Sequence, residues 1–441
     1  MSKTWESQNK VRPGVYINTF AANHSIVANP DRGVVALPLE LNWGKEKEIV
    51  EIHAADVNNV FGELGYHITD NELILVREAL KRAETLLLYR VNTGIKATSI
   101  IGTNLTATAL YSGTRGNDIS IEVQADVDHE GTFIVKTFVD GLMVDIQTVS
   151  KVEDLQANSF VEISGTGNLE VVAGTKLSGG SNTAVIANDY SDFLIEVEKR
   201  AKEINTIGYT GTDASIKELY RVFIERLRDE EQLKLQAILE NYETADCEGI
   251  ISVKNGVILA DNTELAAKEC VAYVAGATAG ANVNESLTYA AYDGAIDVDV
   301  ILTGREIEEE LKKGNIVFVR DGNKVKIEQD INTLTTYTTE KTAVFRKNRV
   351  IRVLDGFNKD VKRIYNDFFV GKVNNDESGR NALRNEIVKL GKYYESIGAI
   401  HNFVSEDVKV TKGLDSDAAI VTTAIQPTDS VEKIYVNVEV L

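Results

Sequence analysis

Cysteine, proline and histidine are scarce in this chain: its 441 residues hold 2 Cys, 4 Pro and 5 His. One disulfide between Cys247 and Cys270 is possible, but two cysteines in so long a chain suit a reducing compartment better. So few prolines argue against long disordered linkers. The histidines, His24, His53, His67, His129 and His401, are scattered, and none falls in HExxH, HxH or another zinc-chelating spacing. No run of about 18 apolar residues occurs, so no transmembrane helix is expected. MSKTWESQNK lacks an apolar stretch, so no secretory signal is expected. Positive charge is the minority sign, with 47 Lys and Arg against 67 Asp and Glu and a net charge of −20. That balance disfavours nucleic acid, whose phosphates require clustered basic residues. It suits a protein that must stay soluble at high concentration before it assembles.

What is present is an ordinary folded composition, 43% hydrophobic and 26% charged, in a chain too long for one core. VRPGVYIN reads as a short strand near the start, and residues 1–30 as an N-terminal arm. Residues 31–96 mix strand and helix signals. VVALPLELNWG suits an edge strand because of its proline, Asp70 can cap a helix to about Lys81, and TLLLYRVN reads as a buried strand. This segment is expected to pack with the C-terminal domain.

From 97 to 181 the texture turns to short alternating runs split by Gly and Asp: ISIEVQADV, TFIVKTFVDG, MVDIQTVS, FVEISG and LEVVAGTKLSGG. These indicate an inserted β-sandwich or small barrel, with Gly179-Gly180-Ser181-Asn182 as its exit linker. Residues 182–338 alternate helices and strands as a central α/β domain, with an Asn255-Gly256 hairpin turn and a helix capped by Thr263. Residues 339–441 carry two long helical patterns, Asn348 to Phe369 and Ser378 to Ile397. They end in AAIVTTAIQ and VEKIYVNVEVL, joined by PTDS as an expected antiparallel pair. In the last run Ile434, Val436, Val438 and Val440 point one way while Tyr435, Asn437 and Glu439 point the other, the period of a half-buried strand. A strand at either end of a chain needs a neighbour for its N–H and C=O groups. The fold class expected is thus a multidomain α+β / α/β chain with extended N- and C-terminal strand arms.

No stretch of the sequence carries a recognisable catalytic or phosphate-binding pattern. GTRGN and GTGNLEVVAGTK are not GxxxxGK[ST] and read as β-turn glycines, and Gly371-Lys372 is followed by Val373, without the hydroxyl that Mg²⁺ requires. Glu306, Glu308, Glu309 and Glu310 in LTGREIEEELKKG could do acid–base work only if buried; so dense a run is more often a solvated helix face. Nothing resembles GxSxG or a catalytic-cysteine signature. No enzyme activity, cofactor or metal is expected.

Several stretches together resemble the contractile tail sheath proteins of Gram-positive phages, defective prophages and phage-tail-like bacteriocins. They are RPGVYIN, YSGTRGNDISIEV, LSGGSN, AGATAGANVNESLTYAAYDGA, DINTLTTYTTEKTAVFRKNRVIRVLD, FVGKVNNDESGRNAL and VEKIYVNVEVL, in order over nearly the whole chain. The resemblance implies a helical homopolymer around a tail tube, in which terminal segments add strands to neighbouring subunits. Val15, Tyr16 and Ile17, with Ile434, Tyr435, Val436, Asn437, Val438 and Val440, would form those inter-subunit strands. It further implies contacts with tail tube, baseplate and tail terminator proteins, assembly in the bacterial host cytoplasm, and no nucleic-acid or membrane partner. The Ser378–Ile397 helix carries Arg380, Arg384, Lys389 and Lys392, a candidate tube-facing surface or an ordinary solvated face. The rivals are an α/β enzyme with an unidentified site and a Thr/Gly-rich surface-layer or adhesion protein.

Overall fold

Runs of apolar β-formers alternate with amphipathic helices over most of the chain, and the computed structural model, which describes residues 32–440, folds them into two compact units. The larger holds 32–355 and 427–440; the smaller holds 356–426. Val15, Tyr16 and Ile17 lie outside the described residues.

The larger unit is built on a sheet of β1 (Val34–Leu39), β2 (Ile49–His53), β3 (Thr85–Arg90), β4 (Thr206–Gly208), β5 (Gln236–Glu240), β6 (Ile250–Val253) and β7 (Asn315–Ile316). Its order is β7-β6-β5-β4-β1-β3-β2, parallel except for the β2–β3 edge pair. Both faces are covered, so each strand reads as nearly continuous apolar sequence. Val35, Leu37, Leu86, Leu88, Ile238 and Ile251 face one core, shared with α1 (Ile74–Leu80) and α4 (Ala267–Gly280). Ala36, Leu87, Tyr89, Ile207, Ala237 and Ile250 face the other, shared with α2 (Ala187–Lys199) and α3 (Ala214–Asp229). Cys270 belongs to the first core and Cys247 to the second, so the sheet itself separates these two free thiols.

Close packing of α4 on α1 explains the small-residue run AGATAG. A Cβ on Gly276 would lie 2.0 Å from the carbonyl oxygen of Ala79, and one on Gly280 would lie 1.9 Å from that of Arg82. Only glycine permits that approach.

Between β3 and α2 the chain leaves the sheet to form a β-sandwich. One layer holds Thr98–Ile101, Leu105–Ala109 and Val161–Gly165; the other holds Ile119–Ala125, Phe133–Val139, Leu142–Val149 and Val172–Lys176. Ile101, Leu105, Ala107, Ile119, Ile121, Val123, Val135 and Val161 fill the space between. The chain enters and leaves through a two-stranded neck, Gly94 paired with Asn182 and Ile95 with Ser181. The glycine-rich exit is therefore hydrogen-bonded structure, further tied by the Asn117 amide to both backbone groups of Gly180 at 2.9 Å.

Several local expectations are corrected. The 31–96 segment takes the central α/β segment as its sheet partner, β1 pairing with β4. Pro38 stands on a central strand, but pairing with β4 is confined to Val35 and Ala36; its missing N–H falls where that neighbour has already ended. Asn255-Gly256 is no hairpin turn: β6 runs parallel to β5, and Asn255 is buried, its side chain bonding both N–H (2.8 Å) and C=O (3.0 Å) of Phe318. Helix α4 starts at Ala267, past Thr263, with Ala266 at its N-cap.

The smaller unit takes in most of α5 (Asn348–Ile364), which closes in a π-helical turn at Tyr365–Phe369, then α6 (Glu377–Ser396) and a hairpin of β8 (Val408–Lys412) and β9 (Ala419–Thr423). Here the pairing expected between AAIVTTAIQ and the last run is corrected. β9 takes β8 as its partner, Val410 opposite Val421. VKVTK is weak as a strand pattern because two lysines hide its short apolar alternation.

Candidate functional site: the C-terminal arm and its surroundings

The last run keeps its alternation but has no partner strand among the described residues. Ile434, Val436, Val438 and Val440 are 79, 73, 82 and 90% exposed, and Tyr435 on the opposite face is 90% exposed. Isolated exposed apolar residues are ordinary. A row of four on one face of an extended segment, with free backbone groups beside them, is the form of a strand that has not been given its sheet.

Among the described residues, one side chain in this run is held. Glu432, 12% exposed, accepts from Thr288 Oγ1 (2.9 Å) and Gln329 Nε2 (2.7 Å) and pairs with Lys347. Burial alone would push its carboxyl up, but these partners outweigh it and hold it below the usual carboxylate range.

Those partners border a buried knot made by DINTLTT and the start of α5. Asp330 accepts from Asn348 Nδ2 (2.9 Å) and Leu287 N (3.0 Å) and pairs with Arg352; both members of that ion pair are 1% exposed. Its own N–H donates to Thr288 Oγ1 at 2.9 Å, the same hydroxyl that donates to Glu432. Thr333 Oγ1 donates to Cys247 O and accepts from Cys247 N, while Asp246 Oδ1 accepts from the N–H groups of Thr335 and Thr336. Buried polar side chains of this kind require partners, which explains why polar residues recur through this stretch.

The four basic residues named on α6 do not form one free patch. Asp376 caps the helix, its Oδ1 accepting from Gly379 N at 2.8 Å. Leu383, Ile387, Leu390 and Tyr394 form the buried face, with Tyr394 Oη donating to Asp360 Oδ2 at 2.9 Å. Arg384 donates from Nε to Val408 O at 2.8 Å and also to Ser405 O, fastening the start of β8. Arg380 holds Asn375 O at 2.9 Å, Lys392 donates to Phe403 O, and Lys389 pairs with Glu386 at 2.6 Å. Lys389 is the most exposed of them, at 61% of its side chain.

GTRGN is more than a turn. Arg115 is buried, donates from Nε to Gly65 O at 2.8 Å, pairs with Asp118 and Asp140, and lies 4.2 Å from the Tyr66 ring centroid. It joins the sandwich to the segment before β3. The motif's glycines resemble those of a β-turn, while its arginine is the residue that makes the tether.

Against known proteins, four family profiles match in succession: the tail sheath Gp18 domain III N-terminal region over 32–91, the tail sheath β-sandwich domain over 92–182, the tail sheath central domain over 183–333 and the tail sheath C-terminal domain over 340–441. The chain is 37% identical over 460 residues to the phage-like element PBSX protein XkdK of Bacillus subtilis, covering 98% of each. This chain belongs to the phage tail sheath family. A sheath tail protein structure from Desulfitobacterium hafniense is similar at 47% identity and a TM-score of 0.87, over 96% of this chain and 99% of that one. One from Listeria innocua is similar at 36% and 0.78, over 92% and 94%. The sheath of the anti-feeding prophage in its contracted state shares the fold at 12% identity and a TM-score of 0.58, over 98% of this chain and 99% of that one.

Proposed function

We propose that this tail sheath subunit polymerises helically around a tail tube by strand exchange, and that the polymer contracts to drive the tube through a target envelope. The observation that carries the reading is the exposed, one-sided arm at 434–440 in a chain whose β8–β9 hairpin has both outer edges open among the described residues. Strand addition draws affinity from main-chain hydrogen bonds and register from alternate side chains. About six backbone pairs at a net ~1 kcal/mol each, plus burial of four apolar side chains, make a link that outlasts large subunit rotations. The 1–30 arm, through Val15, Tyr16 and Ile17, supplies the second exchanged strand. Lateral contacts are remade as the lattice widens while the arms stay paired, which is switching by bistable interfaces. Baseplate and terminator proteins cap the polymer, assembly takes place in the host cytoplasm, and no step requires covalent chemistry. On α6 the tube-facing role falls to Lys389 and its neighbours, since Arg384 is occupied within its own unit.

The test is negative-stain electron microscopy of the intact protein beside a version truncated before Ser430. Tubes from the first and monomers or short oligomers from the second are expected. Monomers from both, with a tube template supplied, overturn the reading.

A further inference from the structure

The arm is not free from its root. Between Val431, 83% exposed, and Ile434, 79% exposed, Glu432 is drawn inward to Thr288, Gln329 and Lys347. Ser430 Oγ also reaches its carboxylate, at 3.3 Å. The three distant partners come from separate places: Thr288 from the loop after α4, Gln329 from the residue before Asp330, and Lys347 from the residue before α5. Thr288 and Lys347 are rooted in turn in the Asp330 knot, by the Asp330 N to Thr288 Oγ1 bond and by the Lys347 backbone, which is bridged to Ile331. A carboxylate with a charged partner and two further donors in a mostly closed place is a strong contact. It is also a polar one, so breaking it exposes little apolar surface.

We infer that Glu432 is a latch that sets the working length of the C-terminal arm. Latched, the arm begins at Lys433 and spans up to roughly 27 Å fully extended to Val440. Unlatched, 429–432 joins it and the reach grows by about 14 Å. The short arm holds a neighbour close; pulling Glu432 from its three partners releases slack without breaking the strand pairing. In a lattice whose subunits move apart, the weaker, polar contact yields before the arm's backbone pairs do. That use of the latch rests on the strand-exchange reading; the latch itself does not.

The experiment uses dispersed full-length subunits and the protease Glu-C, which cuts after Glu432, with loss of the C-terminal fragment followed by mass spectrometry. A synthetic peptide of residues 427–440 sets the unlatched rate. Wild-type protein is expected to be cut after Glu432 at least tenfold more slowly than the peptide. Lys347→Ala is expected to bring the rate to within about threefold of the peptide's, and Thr288→Val to give an intermediate rate, with unchanged melting temperatures. Wild type cut as fast as the peptide, or variants cut as slowly as wild type, overturns the latch. A melting shift in Lys347→Ala is resolved by Gln329→Leu, which removes a donor to Glu432 without touching α5 and must also accelerate the cut. Spin labels at Val436→Cys and Lys324→Cys read the reach: Lys347→Ala is expected to lengthen and broaden their separation, and an unchanged distribution overturns the length-setting role. Because no polymer is involved, failure here leaves strand exchange standing, and failure of tubes to form leaves the latch standing.

Discussion

Placing a charge on the apolar face of the arm separates what the subunit needs from what the polymer needs. Val438 is 82% exposed, so Val438→Asp removes almost no contact within the subunit, and its stability should change by no more than about 0.5 kcal/mol. In a polymer linked by strand addition the same side chain is buried. The valine's burial there is worth about 1.5 kcal/mol or more, and a carboxylate in its place adds a desolvation cost of at least similar size. A loss of about 3 kcal/mol per link corresponds to roughly a hundredfold rise in the concentration needed for polymerisation. Light scattering and pelleting across a concentration series measure that threshold, and circular dichroism measures the melt. Asn437→Ser, one residue along on the opposite face, should shift the threshold less than about threefold. Unchanged polymerisation by Val438→Asp refutes burial of this face. A melt lowered by several degrees shows instead that the arm packs on its own chain.

Other outcomes follow from the geometry. Gly276→Leu places a side chain 2.0 Å from Ala79 O and should cost about 3 kcal/mol or prevent folding, whereas Thr303→Val, at an exposed helix cap, should cost about 1 kcal/mol; both are read by thermal melts. For Glu248, burial pushes the carboxyl up, but the ion pair with Lys341 and the nearby Arg228 outweigh it and hold it below its ordinary value. A lowered carboxylate stabilises the fold above its unfolded value, and that stability is lost as pH falls through the folded one. Lys341→Met should therefore cost about 1 kcal/mol near pH 7 and progressively less as the pH falls through the folded value of Glu248; a gap in thermal melts that stays constant down to acid unfolding refutes the pairing. Lys389→Glu should slow tube-templated assembly several-fold at low salt and little at high salt, where exposed charges are screened. Arg384→Glu is the wrong test, because it also unfastens Val408 and Ser405.

Local pattern and tertiary structure contributed different things to this protein. The alternation of 434–440, the two C-terminal helices, the sandwich texture and the buried strand at 85–90 are written in residue periodicity, which depends only on neighbours a few positions away. The acidic balance and the lack of chelating spacings are equally properties of sequence alone. Which strand pairs with which is decided at long range. VKVTK, weak as a pattern, takes β9 from the stronger terminal run, and Pro38 is tolerated on a central strand because β4 stops short of it. The same holds for side chains whose partners are far away: Arg115 in an apparent turn, Arg384 on an apparently free basic helix, and Glu432 in an apparently uniform strand. Each looks solvated in sequence, and each is held by groups that only the fold brings within about 3 Å, where a hydrogen bond outweighs hydration. Sequence determined that the arm has one apolar face; tertiary structure decided that, among the described residues, its own subunit leaves that face bare and grips the arm at the root.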